Sequence, residues 1–168
     1  EVIPNSHILD QYSNPDNPDA HEAGTGAEIV EQCGGRLDAI VMTAGTGGTI
    51  TGVARAIKRL VPKCLVVGVD PEGSILAGPG EIKSYKVEGI GEDFLPQNVD
   101  FSVIDAFEKV TDRDAALMTR RIVKEEGIFV GNSAGSAMAG LLQMQDRFKE
   151  GDVIVVIFHD HGSRYLAK

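Results

Sequence analysis

The sequence contains no tryptophan and only 2 cysteines among its 168 residues. Cys33 and Cys64 lie far apart and match neither a CxxC pair nor a zinc-ligand spacing, which excludes a disulfide framework and a structural zinc site. We interpret both as reduced structural thiols, as is typical of a cytoplasmic protein. No apolar run approaches the ~18 residues that a transmembrane helix needs, so no membrane-spanning segment is predicted.

Basic residues are also scarce, with 16 Lys and Arg against 25 Asp and Glu and a formal net charge of −9. Nucleic acids and anionic membrane surfaces reward basic patches, so neither is expected as a partner. A small ligand fits this charge balance better. The length, the 42% hydrophobic content and the 20 glycines together predict one α/β domain with a sizeable core.

Apolar strands and amphipathic helices alternate along the chain. Strands are predicted at residues 37–43, 65–69, 102–107, 128–130 and 153–158. Helices are predicted at residues 49–60, between a Thr111 cap and Gly127, and after a small-residue turn at residues 131–136. Uniformly apolar strands are typical of parallel sheets covered on both faces, so the sequence predicts a three-layer αβα fold with a mostly parallel sheet.

Residues 1–37 differ from the rest because asparagine, proline and glycine interrupt their weak helical pattern. We interpret them as a crossover from a small upstream domain and residues 38–168 as the larger α/β domain. The chain begins at Glu1 rather than Met, and we expect it to be a fragment of a longer protein. Residues 71–96 are too long for an ordinary connection, and such loops are usually functional.

A glycine-rich turn follows the first predicted strand and opens the next helix: Gly45, Thr46, Gly47, Gly48 and Thr49. Glycine lets backbone amides approach an anion closely, and a helix N-terminus adds unpaired amides and the positive end of its dipole. The two threonines add hydroxyl donors. The sequence therefore predicts a phosphate site here.

Three ligand classes compete for this turn. A nucleoside triphosphate loop requires a lysine where Val53 stands, so that hypothesis fails. A dinucleotide fingerprint requires a third glycine where Ile50 stands, although Asp70 lies near the position of a ribose-binding acid, and this alternative stays open. A single phosphate monoester, such as that of pyridoxal phosphate, fits a turn that has no lysine.

Other segments are expected at the same edge of the sheet. Ser133, in the turn at residues 131–136, could donate a hydrogen bond to an unprotonated pyridine nitrogen, or Ser133 or Ser136 could simply cap the helix. The loop at residues 89–91 could line the ligand site or be a flexible connection. A metal site at residues 159–161 is disfavoured because no third ligand of clear spacing accompanies the two histidines.

Five segments together resemble the cystathionine β-synthase family, within the pyridoxal-phosphate enzymes of the tryptophan-synthase-like fold: residues 3–12, 45–52, 69–76, 87–91 and 131–136. The resemblance implies a pyridoxal-phosphate-dependent lyase in which homocysteine thiolate replaces the hydroxyl of serine to give cystathionine. It also implies a cytoplasmic homodimer. Cysteine synthase, which uses O-acetylserine and sulfide, shares two of the segments and stays an alternative, as does a stand-alone nucleotide-binding module.

The resemblance also implies individual roles. Residues 45–49 would hold the cofactor phosphate and Ser133 the pyridine nitrogen. The family's Schiff-base lysine is expected upstream, and no lysine here, Lys168 included, matches its motif, so the isolated chain is expected to be inactive. The residues implied for the substrate pocket are Gly89, Ile90, Glu92 and Asp160. Some relatives carry tyrosine in place of Glu92, and many read Pro-Asp-Ser at residues 159–161.

Overall fold

One parallel sheet organises the computed structural model, which describes residues 3–166. Within the described residues its strands are β1 (Ala39–Thr43), β2 (Leu65–Pro71), β3 (Ala106–Val110) and β4 (Ile154–Val156). They lie in the order β3-β2-β1-β4, and every neighbouring pair is parallel. This arrangement confirms the predicted α/β class and parallel sheet.

Helices connect the strands and cover the sheet. They are α1 (Asp16–Ala20), α2 (Ala27–Gln32), α3 (Gly48–Leu60), α4 (Asp112–Glu126) and α5 (Asn132–Gln143). A π-helical turn, His21–Gly26, joins α1 directly to α2, and 3-10 turns lie at Phe101–Val103, Gln145–Arg147 and Gly162–Tyr165. None of the helices between residues 3 and 166 is long and apolar enough to cross a bilayer.

The two faces of the sheet are buried by different helices. Ile40 and Met42 of β1 pack into one apolar cluster with the buried residues of α3, whereas Val41 joins a second cluster with Ala139 and Leu141 of α5. Alternate residues of a strand point to opposite faces, so β1 contributes to both layers of core. With α1 and α2 against α3, and α4 against α5, the fold has the three layers that the sequence predicts.

The two ends of helix α4 are set by capping residues next to them in the sequence. The Thr111 hydroxyl accepts a hydrogen bond from the Asp114 N–H at 3.0 Å, which satisfies one of the unpaired amides of the first turn. The helix ends at Gly127, whose φ of 72° is the left-handed conformation that glycine adopts without strain. Both ends lie where the sequence predicts them.

Two predicted strands differ from the structure by more than two residues at an end. β3 begins at Ala106 rather than at residue 102, because the Asp100 carboxylate accepts the Ser102 N–H at 3.1 Å and starts a 3-10 turn. Residues 128–130 form no strand. Only Val130 is buried, and it makes an isolated bridge with His161, whereas Ile128 and Phe129 are exposed.

The long loop after β2 is held by buried polar contacts. Asp70 is fully buried, and its Oδ2 accepts hydrogen bonds from Lys109 Nζ at 2.7 Å and from the Ala77 N–H at 3.0 Å. Further along, the Ser74 hydroxyl accepts the Glu92 N–H at 2.9 Å and lies 3.1 Å from the Glu92 carbonyl oxygen, to which it donates. Asp70 is therefore buried and bonded within the protein, which removes the main support for the dinucleotide alternative.

Both cysteines are free thiols. Cys64 lies in the core beneath α3, where burial raises the pKa of its thiol to about 12. A thiol with so high a pKa is almost entirely protonated near neutral pH, and the thiolate is the nucleophilic form. Cys64 is therefore a packing residue, as its isolated position in the sequence indicates.

Candidate functional site

A cavity of about 190 Å³ lies at the carboxyl ends of β1 and β4. Doubly wound parallel sheets bind their ligands at this edge. Its walls come from the turn before α3, the loop around Gly89, the first turn of α5 and the segment after β4. The predicted site residues that line it are Gly45, Thr46, Gly47, Gly48, Thr49, Gly89, Ile90, Ser133 and Asp160. Of the predicted set, only Glu92 lies elsewhere.

The first backbone amides of α3 lie at this cavity, and the Gly48 N–H makes only a long hydrogen bond of 3.4 Å to Thr46 Oγ1. Gly47 turns the chain with φ of 88°, and the first helical hydrogen bond runs from the Thr51 N–H to the Gly47 carbonyl oxygen at 3.0 Å. The amides of residues 48–50 precede that bond, so they have no acceptor within the helix. Amides in this position, together with the helix dipole, can hold an anion without a lysine.

Two loops meet backbone to backbone beside these amides. The Gly91 N–H donates to the Ala44 carbonyl oxygen at 2.7 Å. A Cβ atom placed on Gly45 would lie 2.6 Å from the Gly89 carbonyl oxygen, closer than real Cβ atoms come. Glycine at position 45 is therefore needed for the close approach of the two loops that shapes one corner of the cavity.

The N-terminal helices hold both threonine hydroxyls of the turn. Asn17 Nδ2 donates to Thr46 Oγ1 at 3.2 Å. His21 Nε2 lies 3.3 Å from Thr49 Oγ1, and His21 Nδ1 lies 3.0 Å from Thr25 Oγ1. Burial lowers the pKa of His21, which favours its neutral form. In the tautomer with hydrogen on Nε2, His21 accepts from Thr25 and donates to Thr49, which leaves the Thr49 hydrogen free to donate to a ligand.

Ser133 contributes a free hydroxyl to the opposite wall. It is 4% exposed, in the first turn of α5, and its hydroxyl makes no hydrogen bond to any residue between 3 and 166. The alternative that Ser133 or Ser136 caps the helix is wrong, because Gly131 is the N-cap residue and no side chain caps it. Ser136 instead donates to the Asn132 carbonyl oxygen at 3.3 Å within the helix.

Two buried polar atoms at the cavity have no partner within the described part of the chain: Thr43 Oγ1 and Asp160 Oδ1. Buried polar groups are nearly always hydrogen-bonded, so both indicate a polar ligand in the cavity. The other Asp160 oxygen, Oδ2, accepts from the Tyr165 hydroxyl at 2.6 Å, which raises the pKa of Tyr165 to about 12. Thr43 was not predicted because it ends an otherwise apolar strand.

Glu92 lines a second cavity that adjoins the first, and the two share Thr46, Gly89 and Ile90 as a common wall. Burial raises the pKa of the Glu92 carboxyl, while the hydrogen-bonding Tyr12 hydroxyl lowers it in part. Glu92 is therefore close to the main cavity without being part of its lining.

Two histidines follow β4, His159 and His161. Within the described residues, no three His, Cys, Asp or Glu side chains are grouped to hold a metal ion. His161 Nδ1 lies 2.8 Å from Ser163 Oγ, and its ring meets Phe129 edge-on at a centroid distance of 5.0 Å. These contacts give His161 a structural role at the end of the sheet.

Comparison with known proteins identifies a family and several relatives of this chain. Residues 1–160 match the model of a family described as pyridoxal-phosphate dependent enzyme. The chain is 53% identical over 170 residues to cystathionine beta-synthase of Dictyostelium discoideum, covering 99% of the chain and 34% of that relative. It is 49% identical over 173 residues to cystathionine beta-synthase of Oryctolagus cuniculus, of which it covers 31%.

Cysteine synthase of Helicobacter pylori is also similar, at 40% identity over 168 residues, and the chain covers 55% of it. A solved structure of O-ureido-L-serine synthase with bound O-ureido-L-serine superposes with a TM-score of 0.89 and 36% identity, over 94% of this chain and 50% of that one. A hydrogen sulfide-producing enzyme from Fusobacterium nucleatum gives a TM-score of 0.91 at 31% identity, over 95% and 55%. The chain thus spans about a third to half the length of these relatives.

Proposed function

The chain belongs to the pyridoxal-phosphate dependent enzymes, and we propose that it forms the larger cofactor-binding part of a cystathionine β-synthase. In the proposed reaction, the sulfur of homocysteine replaces the β-hydroxyl of serine, and the thiol proton leaves with that hydroxyl as water. The observation that carries this choice is the 53% identity to one cystathionine beta-synthase over nearly the whole chain, against 40% to a cysteine synthase. Cystathionine, cysteine and O-ureidoserine all carry a heteroatom on the β-carbon of alanine, which supports β-replacement as the reaction class.

The cavity offers hydrogen-bonding groups for both the phosphate and the ring of the cofactor. We assign the phosphate to the turn formed by residues 45–49, where amides and the Thr46 and Thr49 hydroxyls converge. We assign the pyridine nitrogen to the free hydroxyl of Ser133. When bound, pyridoxal phosphate supplies the electron sink for the reaction. A serine hydroxyl leaves the ring nitrogen largely unprotonated and moderates that sink, which suits elimination and replacement.

The remaining assignments concern the pocket and the parts of the protein around it. Gly89, Ile90 and Asp160 form the wall that faces the substrate in this proposal. No lysine from the described residues lines the cavity, so we assign the Schiff-base lysine to sequence outside this chain. We also propose residues 1–37 as a crossover between domains, residues 38–168 as the larger domain, and a cytoplasmic homodimer as the working form.

The reaction is tested with the full-length protein loaded with pyridoxal phosphate. We expect a higher kcat/KM with serine and homocysteine than with O-acetylserine and sulfide. Product identification by mass spectrometry separates cystathionine from cysteine in the same reaction mixture. A preference for O-acetylserine and sulfide would replace the proposed function with that of a cysteine synthase.

The Ser133→Ala variant of the full-length enzyme tests the ring-nitrogen assignment. We expect kcat to fall about fivefold to a hundredfold, as for about 1–3 kcal/mol lost when a buried acceptor is left unpaired. The absorbance spectrum of the bound cofactor should shift, because the hydrogen bond at its ring is gone. Ser136→Ala is the matched control: Ser136 is as buried but bonds within α5. Wild-type kcat and an unchanged spectrum in Ser133→Ala would contradict the assignment.

A further inference from the structure

Among the residues that the structure describes, the carboxylate of Glu92 is the one that lines the cavity beside the cofactor site. We propose that Glu92 binds the α-ammonium group of the thiol-bearing amino acid that acts as second substrate, and so selects an amino-acid thiol over free sulfide. This inference rests on the proposed function and names the residue that determines specificity for its second substrate.

The position of the cavity fits an acceptor site. It shares Thr46, Gly89 and Ile90 with the cavity assigned to the cofactor, so the two are separated only by this thin wall. A molecule held by Glu92 therefore lies next to the bound cofactor, on the other side of the wall that Thr46, Gly89 and Ile90 form. The second substrate must approach the cofactor-bound first substrate in this way.

The lining of the cavity favours a cation. Glu92 is its one charged lining residue among those the structure describes, and the other polar side chains are neutral: Gln11, Tyr12, Thr46 and Tyr85. No lysine or arginine from the same residues lines it. An ammonium group is attracted by such a site, whereas the hydrosulfide anion is repelled.

The surroundings of Glu92 leave its negative charge poorly compensated. Burial and the nearby Asp93 carboxylate both raise its pKa, and only the Tyr12 hydroxyl opposes the rise by hydrogen bonding. Tyr85, on the same cavity, has a pKa raised by burial and by Glu92. A carboxylate that burial destabilises gains more from an incoming cation than an exposed one does. Glu92 is therefore suited to an ammonium ligand.

The site is also fixed in place before any ligand binds. The Ser74 hydroxyl accepts the Glu92 N–H and donates to the Glu92 carbonyl oxygen. The same carbonyl oxygen also accepts the Ile75 N–H at 3.0 Å. Across the cavity, the Gln11 carbonyl accepts hydrogen bonds from Asn17 Nδ2 and Asn98 Nδ2, both at 2.8 Å. Because Asn17 also bonds Thr46 of the phosphate turn, the two cavities are held in one arrangement.

The test compares Glu92→Gln with wild type in the full-length enzyme loaded with pyridoxal phosphate. Two acceptors are used with serine: homocysteine and its deamino analogue, which keeps the thiol and carboxylate but lacks the ammonium. Wild type should favour homocysteine in KM. In Glu92→Gln we expect the KM for homocysteine to rise about tenfold to a hundredfold, with the KM values for serine and the analogue unchanged.

Asp93→Asn is the matched control, because Asp93 is the next residue, is exposed, and does not line this cavity. It removes one negative charge from the same surface but leaves the Glu92 carboxylate in the cavity, so the KM for homocysteine should change much less than in Glu92→Gln. An unchanged KM in Glu92→Gln, an equal rise for both acceptors, or an equal rise in Asp93→Asn would overturn the assignment. If wild type makes cystathionine in those cases, the proposed function stands. A wild-type enzyme that uses sulfide but not homocysteine overturns both.

Discussion

Replacing Gly45 with alanine is expected to weaken pyridoxal phosphate binding about tenfold to a hundredfold, which corresponds to an overpacking cost of about 1–3 kcal/mol. The added Cβ would lie 2.6 Å from the Gly89 carbonyl oxygen. The loop around Gly89 cannot retreat freely, because the Gly91 N–H is bonded to the Ala44 carbonyl oxygen at 2.7 Å. The phosphate turn must therefore move instead. Titration of the full-length apoenzyme with cofactor, followed by absorbance, measures the change in Kd.

Gly80→Ala is the control for this prediction. A Cβ at Gly80 would meet no atom within 4 Å, and its φ is not positive, so the substitution adds a methyl group without crowding or strain. The Kd of Gly80→Ala should equal that of wild type. If Gly45→Ala also binds the cofactor with wild-type affinity, the turn formed by residues 45–49 does not form the phosphate site.

The parts of the site that the sequence predicts are those encoded in consecutive residues. Glycines and threonines at residues 45–49 indicate the proposed anion turn because the backbone amides of one short segment would form it. The same applies to α4, where Thr111 and Gly127 mark the two ends within the segment itself. In each case the residues that signal the feature are also the residues that build it.

The supporting contacts were missed because they join distant segments. His21 reaches Thr49 from 28 residues away, and Asn17 reaches Thr46 from 29 residues away. Separations of this length follow no helix or strand period, so the sequence does not reveal them. His21 also has no neighbouring residue that would indicate a ligand site. Only the packing of the N-terminal helices on α3 brings these side chains to the phosphate turn.

Short apolar runs do not predict strands reliably. Residues 128–130 read as a buried strand, but three apolar residues carry no periodicity, and the segment turns Ile128 and Phe129 outward. Thr43 shows the reverse case. It ends an apolar strand and reads as packing, yet its buried hydroxyl faces the cavity without a partner from the described residues. The sequence does not show whether a hydroxyl is buried without a hydrogen-bond partner; only the structure does.

The Lys109→Met variant is expected to lower the free energy of unfolding by about 3 kcal/mol. Lys109 Nζ lies 2.7 Å from Asp70 Oδ2, and Asp70 is fully buried. The second Asp70 oxygen already lacks a partner within residues 3–166, so removing the ammonium leaves an uncompensated buried carboxylate. Lys109 Nζ also bonds the Ser74 carbonyl oxygen, so the loop that carries Glu92 should loosen as well. Urea denaturation of the full-length protein, followed by circular dichroism, measures the loss.

Two further variants separate charge burial from the mere loss of an ion pair. Arg121→Met breaks the exposed pair with Glu125, whose nitrogen and oxygen lie 3.1 Å apart, and should leave the urea midpoint unchanged because solvent screens such pairs. Asp70→Asn combined with Lys109→Met should recover part of the stability lost in Lys109→Met alone, since the neutral amide removes the buried charge. If the double variant is no more stable than the single one, the cost comes from the lost lysine contacts to the loop rather than from the charge of Asp70.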